Sequence, residues 1–82
     1  MLTKVRAMIA EVFGIVLREI RLEKKFSQEK LAEYCDLDRT YISLLERGLR
    51  QPTLTTLFKL SKALKIEPSQ LIMKVEFKVH NT

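Results

Sequence analysis

The stretch that decides the fold is residues 27–48, SQEKLAEYCDLDRTYISLLERG. Ser27 and Asp38 each precede a short run with apolar residues at helical spacing, and both are favoured N-cap residues because their side-chain oxygens accept backbone N–H bonds. Gly48 suits the left-handed position that ends a helix. The stretch therefore predicts two helices, 28–35 and 39–47, joined by a turn of about three residues, which is a helix-turn-helix motif.

Helices are also predicted on both sides of the motif. Residues 1–24 place apolar side chains three and four positions apart, and Gly14 predicts a break between an extension, 1–12, and a first helix, 13–24. A fourth helix is predicted at 54–65. A short fifth one opens at Glu67-Pro68 and ends at Met73.

The tail has a different pattern. Residues 74–80, KVEFKVH, alternate polar and apolar side chains, which is typical of a half-buried strand. A single strand cannot satisfy its own backbone groups. Either it pairs with a second copy, or it lies along the domain, or it is frayed. The predicted fold is a single all-α domain of five helices, 1–82, with a short C-terminal strand in the tail 74–82.

Composition restricts the function. The net charge of +5, from 15 basic and 10 acidic residues, favours a polyanionic partner without establishing one. Cys35 has no second cysteine to pair with and is interpreted as a small core residue, while His80 lacks the ligands that would complete a metal site. No signal peptide, membrane span or nucleophile–base set is found. We expect a cytoplasmic protein that is not an enzyme and has no cofactor or small-molecule ligand.

The second helix of the motif carries the residue types that read DNA. Its polar side chains crowd toward its N-terminal half, the end that enters the major groove in this motif. They are Arg39, Thr40, Tyr41, Ser43 and Arg47. Arginine bonds guanine with two hydrogen bonds, and threonine offers a methyl or a hydroxyl group to a base edge.

The sequence resembles the Cro and phage-repressor type of helix-turn-helix regulator, the XRE family, over about residues 13–72. The resemblance is carried by Phe13-Gly14, Leu17-Arg18, Arg21, Ser27-Gln28-Glu29, Leu31-Ala32, Ile42-Ser43, Glu46-Arg47-Gly48, Pro52-Thr53, Leu57, Ala63-Leu64 and Leu71. Residues 38–43, DRTYIS, are similar to the controller proteins of restriction–modification systems. The resemblance implies five helices and a twofold homodimer on a roughly palindromic double-stranded DNA site.

The resemblance also implies roles for individual residues. Base reading is implied for Arg39, Thr40 and Ser43. For Gln28 the resemblance implies a contact to a phosphate and a brace on the recognition helix. Contacts to the DNA backbone are implied for Tyr41, Arg47, Arg50 and Gln51.

Three further residue roles complete the interpretation. Lys25 is a further phosphate candidate, equally well explained as part of a solvated face. Arg21 and Glu46 match a partly buried ion pair. The sequence departs from the family at Asp36, where glycine is usual, and we expect the turn to survive because aspartate tolerates positive φ.

We therefore expect a sequence-specific transcriptional regulator that acts as a homodimer. Two alternatives remain open from the sequence: an antitoxin whose main partner is a toxin, and an interaction adaptor of the same fold that does not read DNA. In the main interpretation the extension 1–12 and residues 74–80 are the places where dimerisation differs from that of the family.

Overall fold

The computed structural model describes the backbone of residues 2–81 and the side chains of residues 4–81. Met1 and Thr82, at the ends of the predicted extension and tail, lie outside the described residues. Between residues 2 and 81, five α-helices follow in chain order: α1 Leu2–Glu23, α2 Gln28–Cys35, α3 Arg39–Glu46, α4 Leu54–Leu64 and α5 Pro68–His80. The predicted all-α class of five helices is confirmed.

The predicted strand at 74–80 is wrong, because these residues continue α5 to His80. Pro68 occupies the first turn, and Glu67 and Gln70 form a capping box that fixes the start of the helix. Leu71, Val75 and Val79 lie four residues apart and so share the face that packs on the core. The prediction that α5 ends at Met73 fails for the same reason.

The predicted break at Gly14 is also wrong. α1 is continuous from Leu2 to Glu23, so the extension is the first part of the same helix. A Cβ atom on Gly14 would meet the carbonyl oxygens of Leu45 and Glu46 at the end of α3. The glycine is therefore explained by the close crossing of two helices.

The core is formed where α1 packs on α3 and α5, and where α2 packs on α3 and α4. Its fully buried members are Leu17, Leu31, Ile42, Leu45, Leu60, Leu64 and Leu71, with Ser61 donating to the Leu57 carbonyl at 2.9 Å. Within α1, Leu17 is fully buried, whereas Leu22 remains exposed.

The helix-turn-helix has the predicted caps. The Ser27 hydroxyl accepts from the Lys30 N–H at 3.0 Å, and the Asp38 carboxylate accepts from the Thr40 N–H at 3.3 Å. Asp36 has φ 55° and ψ 46°, the left-handed conformation that the turn requires. The expectation that aspartate is accommodated here is confirmed.

Within the described residues there is no group of three or more His, Cys, Asp and Glu side chains arranged to hold a metal ion. None of the helices between residues 2 and 81 is long and apolar enough to cross a membrane.

Gly14→Ala tests the helix crossing. Helix propensity alone predicts that alanine stabilises a helix by about 1 kcal/mol. Because the new methyl group would meet two α3 carbonyls, we expect a loss of about 1–3 kcal/mol in the free energy of unfolding. Urea denaturation measures this, with Ala7→Gly at an exposed α1 position as the control for propensity alone. A stabilised Gly14→Ala variant would contradict the close crossing.

Cys35 provides a test by pH. Burial raises the pKa of its thiol to about 11, although the charge of Lys59 lowers it in part. An unfolded thiol ionises near pH 8.5, so the buried neutral thiol stabilises the fold below that pH and the stabilisation is lost as the pH rises toward 11. The difference in unfolding free energy between wild type and Cys35→Ala should shrink between pH 8 and pH 10. A constant difference would show that the thiol is not desolvated.

Candidate nucleic-acid interface

α3 presents two different faces. Ile42 and Leu45 point inward and are fully buried, which anchors the helix in the core. Arg39 and Thr40, in its first turn, are exposed, and Ser43 is half-buried one turn later. The helix therefore offers a polar N-terminal half to solvent while its apolar side fixes its position.

A bidentate ion pair fixes the C-terminal end of α3. Arg21 Nε donates to Glu46 Oε2 at 2.6 Å, and Arg21 Nη2 donates to Glu46 Oε1 at 3.0 Å. The side chains are only 9% and 3% exposed. Arg21 Nη1 also donates to the Phe26 carbonyl at 2.8 Å, which ties the segment before α2 to the same group. The predicted partly buried pair is confirmed, and the Phe26 contact adds a third element to it.

Gln28 joins this network from α2. Its Nε2 donates to Glu46 Oε1 at 3.0 Å, so the first residue of α2 is bonded to the last residue of α3. Glu46 therefore accepts three hydrogen bonds from two side chains. This geometry is the brace that the family resemblance implies for Gln28.

Tyr41 is placed differently from the exposed side chains beside it. The sequence assigns Ile42 to the core and Tyr41 to the DNA, but the tyrosine is half-buried and packs against the core. Its ring therefore helps to seat α3, and only its remaining exposed part is available to a ligand.

The other predicted backbone-contacting residues lie on turns around the motif. Arg47, Arg50 and Gln51 are exposed on the connection that follows α3, and Lys25 is exposed on the turn between α1 and α2 with φ 62°. Gln51 is already engaged, because its Nε2 donates to the Arg6 carbonyl of α1 at 3.2 Å. Sequence reasoning missed this contact, because no sequence pattern relates two residues that are 45 positions apart.

An exposed apolar surface on α4 was not identified from the sequence. Leu54 and Phe58 of α4 are 76% and 60% exposed, and they line a groove with Ile66 and Pro68. The signal was present: Leu54 and Phe58 are four residues apart and lie off the face formed by Leu57, Leu60 and Leu64.

Comparison with known proteins assigns the chain to a family. The helix-turn-helix family model matches residues 17–71. The control protein C.BamHI of Bacillus amyloliquefaciens is 53% identical over 62 residues, which are 74% of this chain and 76% of that protein. The chain belongs to the helix-turn-helix family, among the restriction–modification control proteins. The resemblance stated from the sequence is thereby confirmed.

Solved structures of this family agree with the fold. The controller protein C.AhdI from Aeromonas hydrophila superposes with a TM-score of 0.74 at 47% identity, covering 76% of this chain and 94% of that one. The C.Esp1396I tetramer in complex with its natural 35 base-pair operator superposes with a TM-score of 0.79 at 34% identity, covering 87% and 93% of the two chains. Residues 1–16 and 72–82 fall outside the family match.

Glu46→Ala tests the network that positions α3. The substitution leaves the buried guanidinium of Arg21 without its carboxylate and removes the partner of Gln28, so we expect a loss of about 3 kcal/mol in unfolding free energy. Glu19→Ala is the matched control, because Glu19 forms a solvent-exposed pair with Lys78 at 3.6 Å and should change stability by less than about 1 kcal/mol. Equal losses in urea denaturation would contradict the structural role of Glu46.

Proposed function

We propose that this protein is a sequence-specific transcriptional regulator that binds a roughly palindromic double-stranded DNA operator as a homodimer, in the context of a restriction–modification system. It acts in the cytoplasm, by binding and without catalysis. The observation that carries the proposal is a recognition helix whose polar N-terminal half is free while its other end is bonded to α1 and α2.

The free half of α3 supports base reading. The exposed Arg39 guanidinium can donate two hydrogen bonds to a guanine edge, and the neighbouring Thr40 and Ser43 offer short hydroxyl groups. Because α3 is held by buried Ile42 and Leu45, these three side chains can enter the major groove as one rigid set.

The surrounding polar residues support contacts to phosphates. Gln28 keeps a second amide hydrogen for a phosphate while it donates the first to Glu46. The proposed backbone set also contains Tyr41, Arg47, Arg50, Gln51 and Lys25. Such contacts fix register and make the affinity depend on salt, whereas base contacts decide the sequence.

The exposed groove on α4 and α5 supports the homodimer. Leu54, Phe58, Ile66 and Pro68, which we call the dimer surface, form an apolar patch that a second copy can cover by twofold symmetry. A dimer places two recognition helices on half-sites about one turn of DNA apart, roughly 34 Å. The antitoxin and adaptor alternatives are not favoured, since the relatives described above are control proteins.

Selection of bound sites from random duplex DNA tests the function. The expected product is a short inverted repeat whose half-sites are centred about one helical turn apart. Recovery of duplexes with no shared sequence would favour the adaptor and overturn the proposal.

Arg39→Ala tests the base-reading role. We expect the variant to lose about 1–3 kcal/mol of discrimination between operator and random DNA, because one bidentate base contact is removed. Fluorescence anisotropy with both duplexes at one salt concentration measures the ratio. Lys74→Ala is the control. Lys74 is an exposed cation on α5, which packs on α1 and α4 and lies outside the helix-turn-helix, so its removal should leave the ratio unchanged. An unchanged ratio for Arg39→Ala would remove this residue from the reading set.

A further inference from the structure

The apolar stripe of α1 is covered along only part of its length. Val12, Val16 and Ile20 are between 2% and 4% exposed, as a core stripe should be. One to two turns earlier, Val5 is 46%, Met8 is 37% and Ile9 is 40% exposed. We call these last three residues the α1 stripe. The same helical face thus changes from buried to uncovered near Ala10.

The change follows from the lengths of the helices. α5 packs on α1, and Ile72 and Val75 of α5 line one depression together with Ile9 and Phe13. α1 continues toward its N-terminus for eight more residues before Ala10, which is about 12 Å at 1.5 Å per residue. Val5 and Met8 therefore lie beyond the cover that α5 provides, and Ile9 lies at its edge.

The α1 stripe is fixed to the body of the domain. The Gln51 side chain donates to the Arg6 carbonyl at 3.2 Å. A Cβ atom on Gly48, which has φ +73°, would lie 2.9 Å from the Glu11 Cα, so the connection after α3 packs directly on the α1 backbone. The stripe is consequently held in one position relative to α4.

The α1 stripe is continuous with the dimer surface. The depression that contains Ile9 also contains Leu54 and Ile72, and Leu54 lines the groove of the dimer surface as well. Val5 precedes Ile9 by one helical turn on the same side of α1. A mainly apolar band thus runs from Phe58 through Leu54 and Ile72 to the α1 stripe, with Gln51 and Thr53 in the same depression as Ile9.

We propose that the α1 stripe is part of the homodimer interface and is covered by a second copy of this chain. This inference rests on the homodimer of the proposed function and adds a segment that lies outside the family match. A stable interface takes about 20–30 residues from each partner, and the groove of Leu54 and Phe58 is too small to supply them alone. A mainly apolar band can be self-complementary under a twofold axis. The groove of the dimer surface is also lined by Lys59, Lys62 and Glu67, which form its polar edge.

The test is the dimer dissociation constant of the full chain, measured by sedimentation equilibrium. The variant Val5→Ala/Ile9→Ala removes two apolar side chains from each protomer without lowering helix propensity. We expect its dissociation constant to rise at least tenfold. The matched control is Ile15→Ala/Leu22→Ala, which removes two side chains of α1 that are 43% and 53% exposed outside the band and should change the constant less than twofold. Circular dichroism confirms equal helix content.

The outcomes separate the two proposals. If wild type dimerises, Leu54→Ala/Phe58→Ala weakens the dimer and Val5→Ala/Ile9→Ala does not, the inference about the α1 stripe is overturned while the homodimer stands. If wild type is monomeric at every concentration tested, the homodimer itself fails and the inference fails with it. An unchanged dimer constant combined with weaker operator binding would assign the extension to DNA and also overturn the inference.

Discussion

The bidentate pair between Arg21 and Glu46 is the constraint on which the arrangement of this domain depends. It joins the first helix to the recognition helix, and through Phe26 and Gln28 it also holds both sides of the entry to α2. Nearly complete burial makes each charge costly on its own, so the pair favours the single geometry in which all its hydrogen bonds form. The pair thus fixes the orientation of α3 relative to α1.

Two glycines allow this pair to form. Gly14 lets α1 approach the last carbonyl groups of α3, and Gly48 lets the following connection turn back on α1 beside Glu11. Both contacts lie within one or two turns of Glu46. Side chains at either position would separate α1 from α3 and lengthen the distance that Arg21 must span. The close backbone approach and the buried ion pair therefore belong to one contact region between α1 and α3, which we call the α1–α3 contact.

The helix-turn-helix was predictable because its signals are local. The caps at Ser27 and Asp38 and the inward positions of α2 and α3 depend only on neighbours in sequence. The tail was mispredicted because Val75, Phe77 and Val79 fit a strand, while Leu71, Val75 and Val79 fit a helix. The packing of α5 on α1 selects the helix, since it covers Leu71 and Val75 and leaves Phe77 69% exposed. The Gly14 crossing and the Gln51 bond to Arg6 depend on distant residues, so no sequence pattern could indicate them.

The α1–α3 contact also affects how dimerisation and DNA binding would be related. Under the proposed function, the connection 47–53 carries Arg47 and Arg50 toward DNA and leads directly into Leu54 of the dimer surface. Gln51 in the same connection is bonded to α1. A monomer would engage one half-site, whereas a dimer makes the second half-site contact intramolecular and gains affinity without new contacts. An interface enlarged along α1 would therefore lower the protein concentration at which the operator is filled, while the bases that α3 reads would stay the same.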